Sequence, residues 1–192
     1  MDNLSDADLK KIVDEVVSSL MREMPTTTSV PAAPSADKTT AATAAPEKTI
    51  AIGADHGGFS LKESLKTYLT ESGYNLIDCG TDSSDSVDYP DFARAVAEQV
   101  AGGFVWRGIM IDGAGIGSCI AANKVPGVRA AMCYDHATAY NSREHNNANL
   151  LTLGAGLIGT SLAKQIVNTF LETKFGGGRH ARRVDKIMEI EK

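Results

Sequence analysis

The chain has 192 residues, 43% of them hydrophobic, which is enough for one well-buried domain with a remainder. Its formal net charge of −5 argues against a nucleic-acid surface, and no apolar run approaches the roughly 20 residues that cross a bilayer. The start, Met1-Asp2-Asn3, lacks the basic and apolar regions of a secretory signal; Cys79, Cys119 and Cys133 lack the spacing of a zinc site or redox pair and read as reduced thiols of a cytoplasmic protein.

Residues 4–24 carry Leu9, Ile12, Val13, Val16, Val17 and Leu20 at the i, i+3, i+4, i+7 spacing of one helix face. Ser5 is placed as its N-cap, with Leu4 and Leu9 at the staple positions around it. Residues 25–47 are almost all Thr, Ala, Ser and Pro, with too little apolar surface to offset the entropy of ordering them, and read as a disordered linker. An amphipathic helix on such a tether calls for a partner surface; folding back on its own domain or pairing with a copy are the alternatives. Its polar face mixes Asp6, Asp8, Asp14 and Glu15 with Lys10, Lys11 and Arg22, which argues against a membrane.

From residue 48 to 192 the pattern is that of one α/β domain. Strands are expected over 49–54, 74–78, 108–111, 128–133 and 149–153, each a short apolar run. Between them lie helical spacings: Leu61, Leu65, Tyr68 and Leu69 after Phe59; Phe92, Val96 and Val100; Ile120-Ala121-Ala122; 136–145; and 159–173, with Leu162, Ile166, Val167 and Phe170 inward. Strands alternating with helices require right-handed crossovers, so the expectation is a Rossmann-like α/β/α sandwich on a five-stranded parallel sheet. Gly176-Gly177-Gly178 then opens a last helix through Ile190, whose Arg179, Arg182 and Arg183 present positive charge to a neighbouring subunit.

Chemistry is expected at the strands' carboxyl ends, where open α/β sheets place ligands. Asp55 and His56 follow the first strand, and Asp112 ends the third ahead of Gly113, Gly115 and Gly117 at alternate positions. Such a turn brings backbone close to a ligand, and the amides opening the next helix accept an anion. The Gly-x-Gly-x-x-Gly and Walker spacings are absent, which leaves a nucleotide fold as a distant alternative.

Five motifs stand in order: Asp55-His56-Gly57-Gly58, Asp88-Tyr89-Pro90, the glycine turn with Ala121-Ala122-Asn123-Lys124, Arg143-Glu144-His145-Asn146-Asn147, and Gly177-Gly178-Arg179-His180 with Arg183. Together they resemble the family of ribose-5-phosphate isomerase B and the galactose-6-phosphate isomerase subunits. The resemblance implies an aldose–ketose isomerase of phosphosugars that uses no metal or organic cofactor, with sites formed between two subunits of a dimer or tetramer. It implies ring opening by His145, a sugar lined by Asp55, His56 and Tyr89, a phosphate held by Arg179 and Arg183, and an enediolate held by Asn146 and the turn of Gly113, Gly115, Gly117 and Ser118.

The departures matter as much. Family members place a cysteine base where this chain has Asp112, or a glutamate where it has Ser118, and many have an arginine where it has Gly156. Asp112 is therefore read as the base, since a desolvated carboxylate suits proton abstraction, with binding or capping of the turn as the alternative. Lacking the arginine at Gly156 leaves room for a six-carbon sugar phosphate; a phosphosugar-binding or scaffold protein without catalysis is the reading from another class. Residues 4–24 on their linker resemble the encapsulation peptides that carry enzymes into bacterial microcompartments, which implies a shell-protein partner and a place in the lumen.

Overall fold

The computed structural model describes residues 48–192. The helix expected over 4–24 and the linker over 25–47 lie outside the described residues. The elements are β1 (Thr49–Ala54), α1 (Phe59–Glu71), β2 (Asn75–Asp78), α2 (Tyr89–Ala101), β3 (Arg107–Asp112) and α3 (Ile116–Ala122), then β4 (Ala130–Met132), α4 (His136–Glu144), β5 (Leu150–Gly154), α5 (Thr160–Glu172) and α6 (Arg179–Met188). All strand pairings are parallel, in the order β2-β1-β3-β5-β4.

Two-residue alternation builds the layers. Ile50 and Ile52 of β1, Ile109 and Ile111 of β3, and Leu151 and Leu153 of β5 pack in one cluster with Leu61, Leu65 and Leu69 of α1 and Ile166, Val167 and Phe170 of α5. The residues between them, Ala51, Met110 and Leu150, join a second cluster with Val96 and Val100 of α2 and Ala122 of α3. These are the three layers of the expected α/β/α sandwich. Among the described residues no helix is long and apolar enough to cross a membrane.

Two boundaries differ from the periodicity. The third helix starts at Ile116 rather than at the apolar run near Ile120, because Gly115 takes a left-handed φ of 79° and turns the chain there. Gly117 and Ser118 are therefore helical residues. The fourth strand keeps only Ala130–Met132 of the six residues expected. At its start, side chains take the backbone donors: Arg129 N–H donates to Asn149 Oδ1 (2.7 Å) and Ala130 N–H to Asn123 Oδ1 (2.9 Å). Lys62 was also missed. It is 1% exposed inside the apolar face of α1, and its Nζ lies 2.7 Å from Asp78 Oδ2 at the end of β2.

β1 and β3 are neighbours, yet the chain leaves β1 toward β2 on one side and continues from β3 to β4 on the other. That reversal opens a crevice at the carboxyl edge, the usual ligand position in such sheets. Register pairs Ala54 with Ile111 and Asp112 with Gly154, so the loops carrying Asp55, Asp112 and Gly156 emerge side by side.

Candidate active site

Asp112 organises the crevice. The carboxylate is 4% exposed. Its Oδ1 accepts from the N–H of Ala114 (2.8 Å) and of Gly115, and its Oδ2 accepts from Ser118 N–H (3.0 Å) and Ser118 Oγ (2.6 Å). A carboxylate has about four lone-pair sites, and all are engaged. The amides of Gly115 and Ser118, two of those expected to face an enediolate, thus turn inward, whereas those of Gly113 and Gly117 stay outside this network. Thr152 Oγ1 donates to Gly115 O (2.9 Å) from β5 and pins the turn from below.

Asp55 faces this turn. It is 7% exposed, and its Oδ1 accepts from Gly58 N–H at 3.0 Å. A Cβ at Gly57 would lie 3.4 Å from both Asp55 Oδ1 and Gly113 N, so a side chain there would enter the space beside both groups. His56 Nδ1 lies 3.2 Å from both Val87 N and Val87 O, which fixes the ring against that loop and leaves Nε2 outward. The Tyr89 ring lies over Gly117, where a Cβ would meet its Cζ at 2.6 Å, so only glycine admits the tyrosine. Asp55, His56, Tyr89, Asp112, Gly113, Gly115, Gly117 and Ser118 thus share one edge.

His145, Asn146, Arg179 and Arg183 do not join them. His145 and Asn146 follow α4 and precede β5, and Gly176, which leads into α6, donates its N–H to Glu144 O at 2.9 Å. This group sits at the amino edge, about 17–20 Å away along the strands. It is ordered locally. Asn146 Nδ2 donates to Asn141 Oδ1 (3.1 Å), which turns Asn141 Nδ2 toward His145 Nδ1 (2.8 Å) and leaves the His145 proton on Nε2, 3.2 Å from Glu144 Oε2. Asn141 was overlooked in the sequence, although it stands four residues before His145 on the same helix face. Arg179 and Arg183 are one turn apart and exposed.

His180 stacks on His145, with centroids 4.3 Å apart and planes at 5°. Its burial, followed by the charges of His145, Arg179 and Arg183, lowers its pKa below the ordinary 6.5. The folded state therefore binds fewer protons than the unfolded one, and stability is lost as pH falls from the ordinary value through the lowered one. The Tm is expected to drop as the pH falls below the ordinary histidine value of about 6.5, and His180→Phe, which keeps a stacked ring without the proton, to flatten that slope. Equal slopes in the two proteins would contradict this. Elsewhere, burial pushes the Cys133 thiol up to about 11, and Cys119 Sγ contacts Ala130 O at 3.5 Å, so both behave as packing groups.

Comparison with known proteins identifies the family. The family model described as Ribose/Galactose Isomerase matches residues 50–187. Ribose-5-phosphate isomerase B of Escherichia coli (strain K12) is 48% identical over 144 residues, 75% of this chain and 97% of that protein. A D-erythrulose-4-phosphate isomerase of Pectobacterium atrosepticum is 43% identical over 140 residues, 72% of this chain and 92% of that one. Among solved structures, ribose-5-phosphate isomerase B of Clostridium thermocellum superposes with a TM-score of 0.74 at 55% identity, covering 74% of this chain and 97% of that chain. The chain belongs to the Ribose/Galactose Isomerase family.

Proposed function

We propose that the chain is a sugar-phosphate isomerase of the ribose-5-phosphate isomerase B type, interconverting ribose 5-phosphate and ribulose 5-phosphate. The observation that carries the reading is the β1/β3 crevice, where the loops of Asp55 and Gly113 meet around Gly57 beside a buried Asp112. A base takes the proton from C2, the C–H pair forms the C1–C2 double bond of an enediolate, and charge gathers on the former carbonyl oxygen. The O2 proton passes to O1, and the protonated base returns its proton to C1, which gives the ketose. Asp112 is assigned the base. One Oδ2 lone pair becomes free only when a donor leaves, and the Ser118 hydroxyl is the one donor of the four that a side-chain rotation removes. Gly113 and Gly117 amides face the developing oxyanion, Asp55 and His56 hold sugar hydroxyls, and Tyr89 closes the wall.

Ring opening by His145, enediolate contact by Asn146 and phosphate binding by Arg179 and Arg183 are assigned to a second copy of the chain, because one chain holds the two groups at opposite edges. A groove of about 790 Å³ supports the docking: it runs along β4, an edge strand, and is walled by Ala130, Met132, Ile187 and Ile190, with Asn146 on its rim. The full chain is tested on ribose 5-phosphate beside erythrulose 4-phosphate and galactose 6-phosphate. Turnover of none of them, with binding retained, would make the protein a phosphosugar binder or scaffold instead. The four donors on Asp112 favour that second reading, since a carboxylate that only caps its turn abstracts no proton.

The protein is assigned to the cytoplasm, within a microcompartment lumen, with residues 4–24 docking on a shell protein. Supporting this are the apolar stripe from Leu9 to Leu20 and the linker behind it. A Leu9→Asp, Leu20→Asp double variant is expected to lose co-purification with shells; undiminished co-purification would end the assignment.

A further inference from the structure

A second cavity lies at the amino edge, away from the crevice, and the isomerase reading gives it no part. Its volume is about 490 Å³. Lys48, before β1, Arg107, opening β3, Arg143, near the end of α4, and Lys174, after α5, put four cations on its lining against the one carboxylate of Glu172. Arg143 is 3% exposed, and its hydrogen bonds, to Asn147 Oδ1 (3.0 Å) and Ala148 O, all run from Nη1. Arg107 donates from Nη1 to Trp106 O (2.9 Å). In both residues Nε is buried and without a partner among the described residues, and neither guanidinium is in an ion pair there.

A buried cation such as Arg143, beside the half-buried Arg107, is costly when left unpaired, and an anion relieves the cost. Burial first, then repulsion from Arg143 and Arg129, lowers the Arg107 pKa to about 10; burial and Arg129 do the same to Arg143. Both guanidinium charges are thus held largely out of water, and a doubly charged phosphate can answer them with bidentate bonds to the guanidinium fork.

The cavity is too large for phosphate alone, and the rest of its wall is aromatic. Tyr74, Trp106 and Phe175 line it, and the Arg107 guanidinium lies 4.6 Å from the Trp106 ring centroid, a cation laid on an aromatic plane. Flat rings beside cations suit a nucleobase joined to phosphate. We propose that this amino-edge cavity binds a nucleoside phosphate, with Arg107 and Arg143 on the phosphate and the aromatic wall against the base.

Calorimetric titration of the full chain with ADP tests this, beside inorganic pyrophosphate and ribose 5-phosphate. ADP is expected to bind saturably at one site per chain and more tightly than pyrophosphate. Its Kd is expected to rise about tenfold in Arg107→Met and, by a smaller factor, in Lys174→Met, which changes an exposed side chain and leaves folding untouched. An Arg179→Ala variant, altered at the isomerase site, is expected to bind ADP as the wild type does. The proposal is overturned by absence of saturable ADP binding, by pyrophosphate binding as tightly, by affinity unchanged in both cavity variants, or by affinity lost in Arg179→Ala. Because the readout is binding, failure of the isomerase assay leaves it standing.

Discussion

Replacing Asp112 with Asn is expected to lower kcat for ribose 5-phosphate by about a thousandfold, within the range for loss of a general base. The same change disturbs the turn, and the two effects separate. An amide keeps one oxygen, which still accepts from the Ala114 and Gly115 amides. Its nitrogen then faces the Ser118 N–H, two donors pointing at each other, while the Ser118 hydroxyl can rotate and accept. One buried N–H left without an acceptor costs about 1–3 kcal/mol, so the variant melts earlier but remains folded in the assay. Thermal unfolding followed beside kcat distinguishes the roles. Turnover within tenfold of wild type in the folded variant would make Asp112 a cap and move proton abstraction elsewhere. Asp55 is the next candidate, because Gly58 N–H engages only its Oδ1.

Why the crevice was legible and its wiring was not follows from the same residues. Strand ends are written in the sequence as an apolar run meeting a polar residue, and Ile52-Gly53-Ala54-Asp55 and Ile109-Met110-Ile111-Asp112 both show it. Glycines at alternate positions after the second of these announced a close turn. Nothing in their spacing says which amides point inward, because that depends on the left-handed φ at Gly115 and on Thr152 reaching up from β5. One of these determinants lies on another strand. The buried Lys62 was hidden for a similar reason: it occupies an inward position of α1, and only the arrival of Asp78 on β2 makes a cation tolerable there. The shortened β4 was likewise set by Asn123 and Asn149, whose amides occupy backbone groups that apolar periodicity assigns to a ladder. Local pattern reached the elements and their edges, and the side chains that join edges required the fold.

Mixing two inactive variants is expected to restore roughly a quarter of the wild-type sites. Asp112→Asn removes the assigned base at the carboxyl edge, and His145→Ala removes the assigned ring opener at the amino edge. If a site takes one edge from each copy, either homodimer has two defective sites. In a dimer of one variant with the other, one site collects both lesions and its twin collects none. Random reassortment of equal amounts makes about half of the dimers mixed, and half of the sites in those are intact. The strands' length of about 17–20 Å between the two edges is what forces this reading, since no side chain at either edge reaches the other within one chain. Co-folding the variants from denaturant and assaying ribose 5-phosphate reads the result directly. A mixture no more active than the sum of its parts would place the whole site in one chain, and would remove His145 from contact with the substrate held at the carboxyl edge.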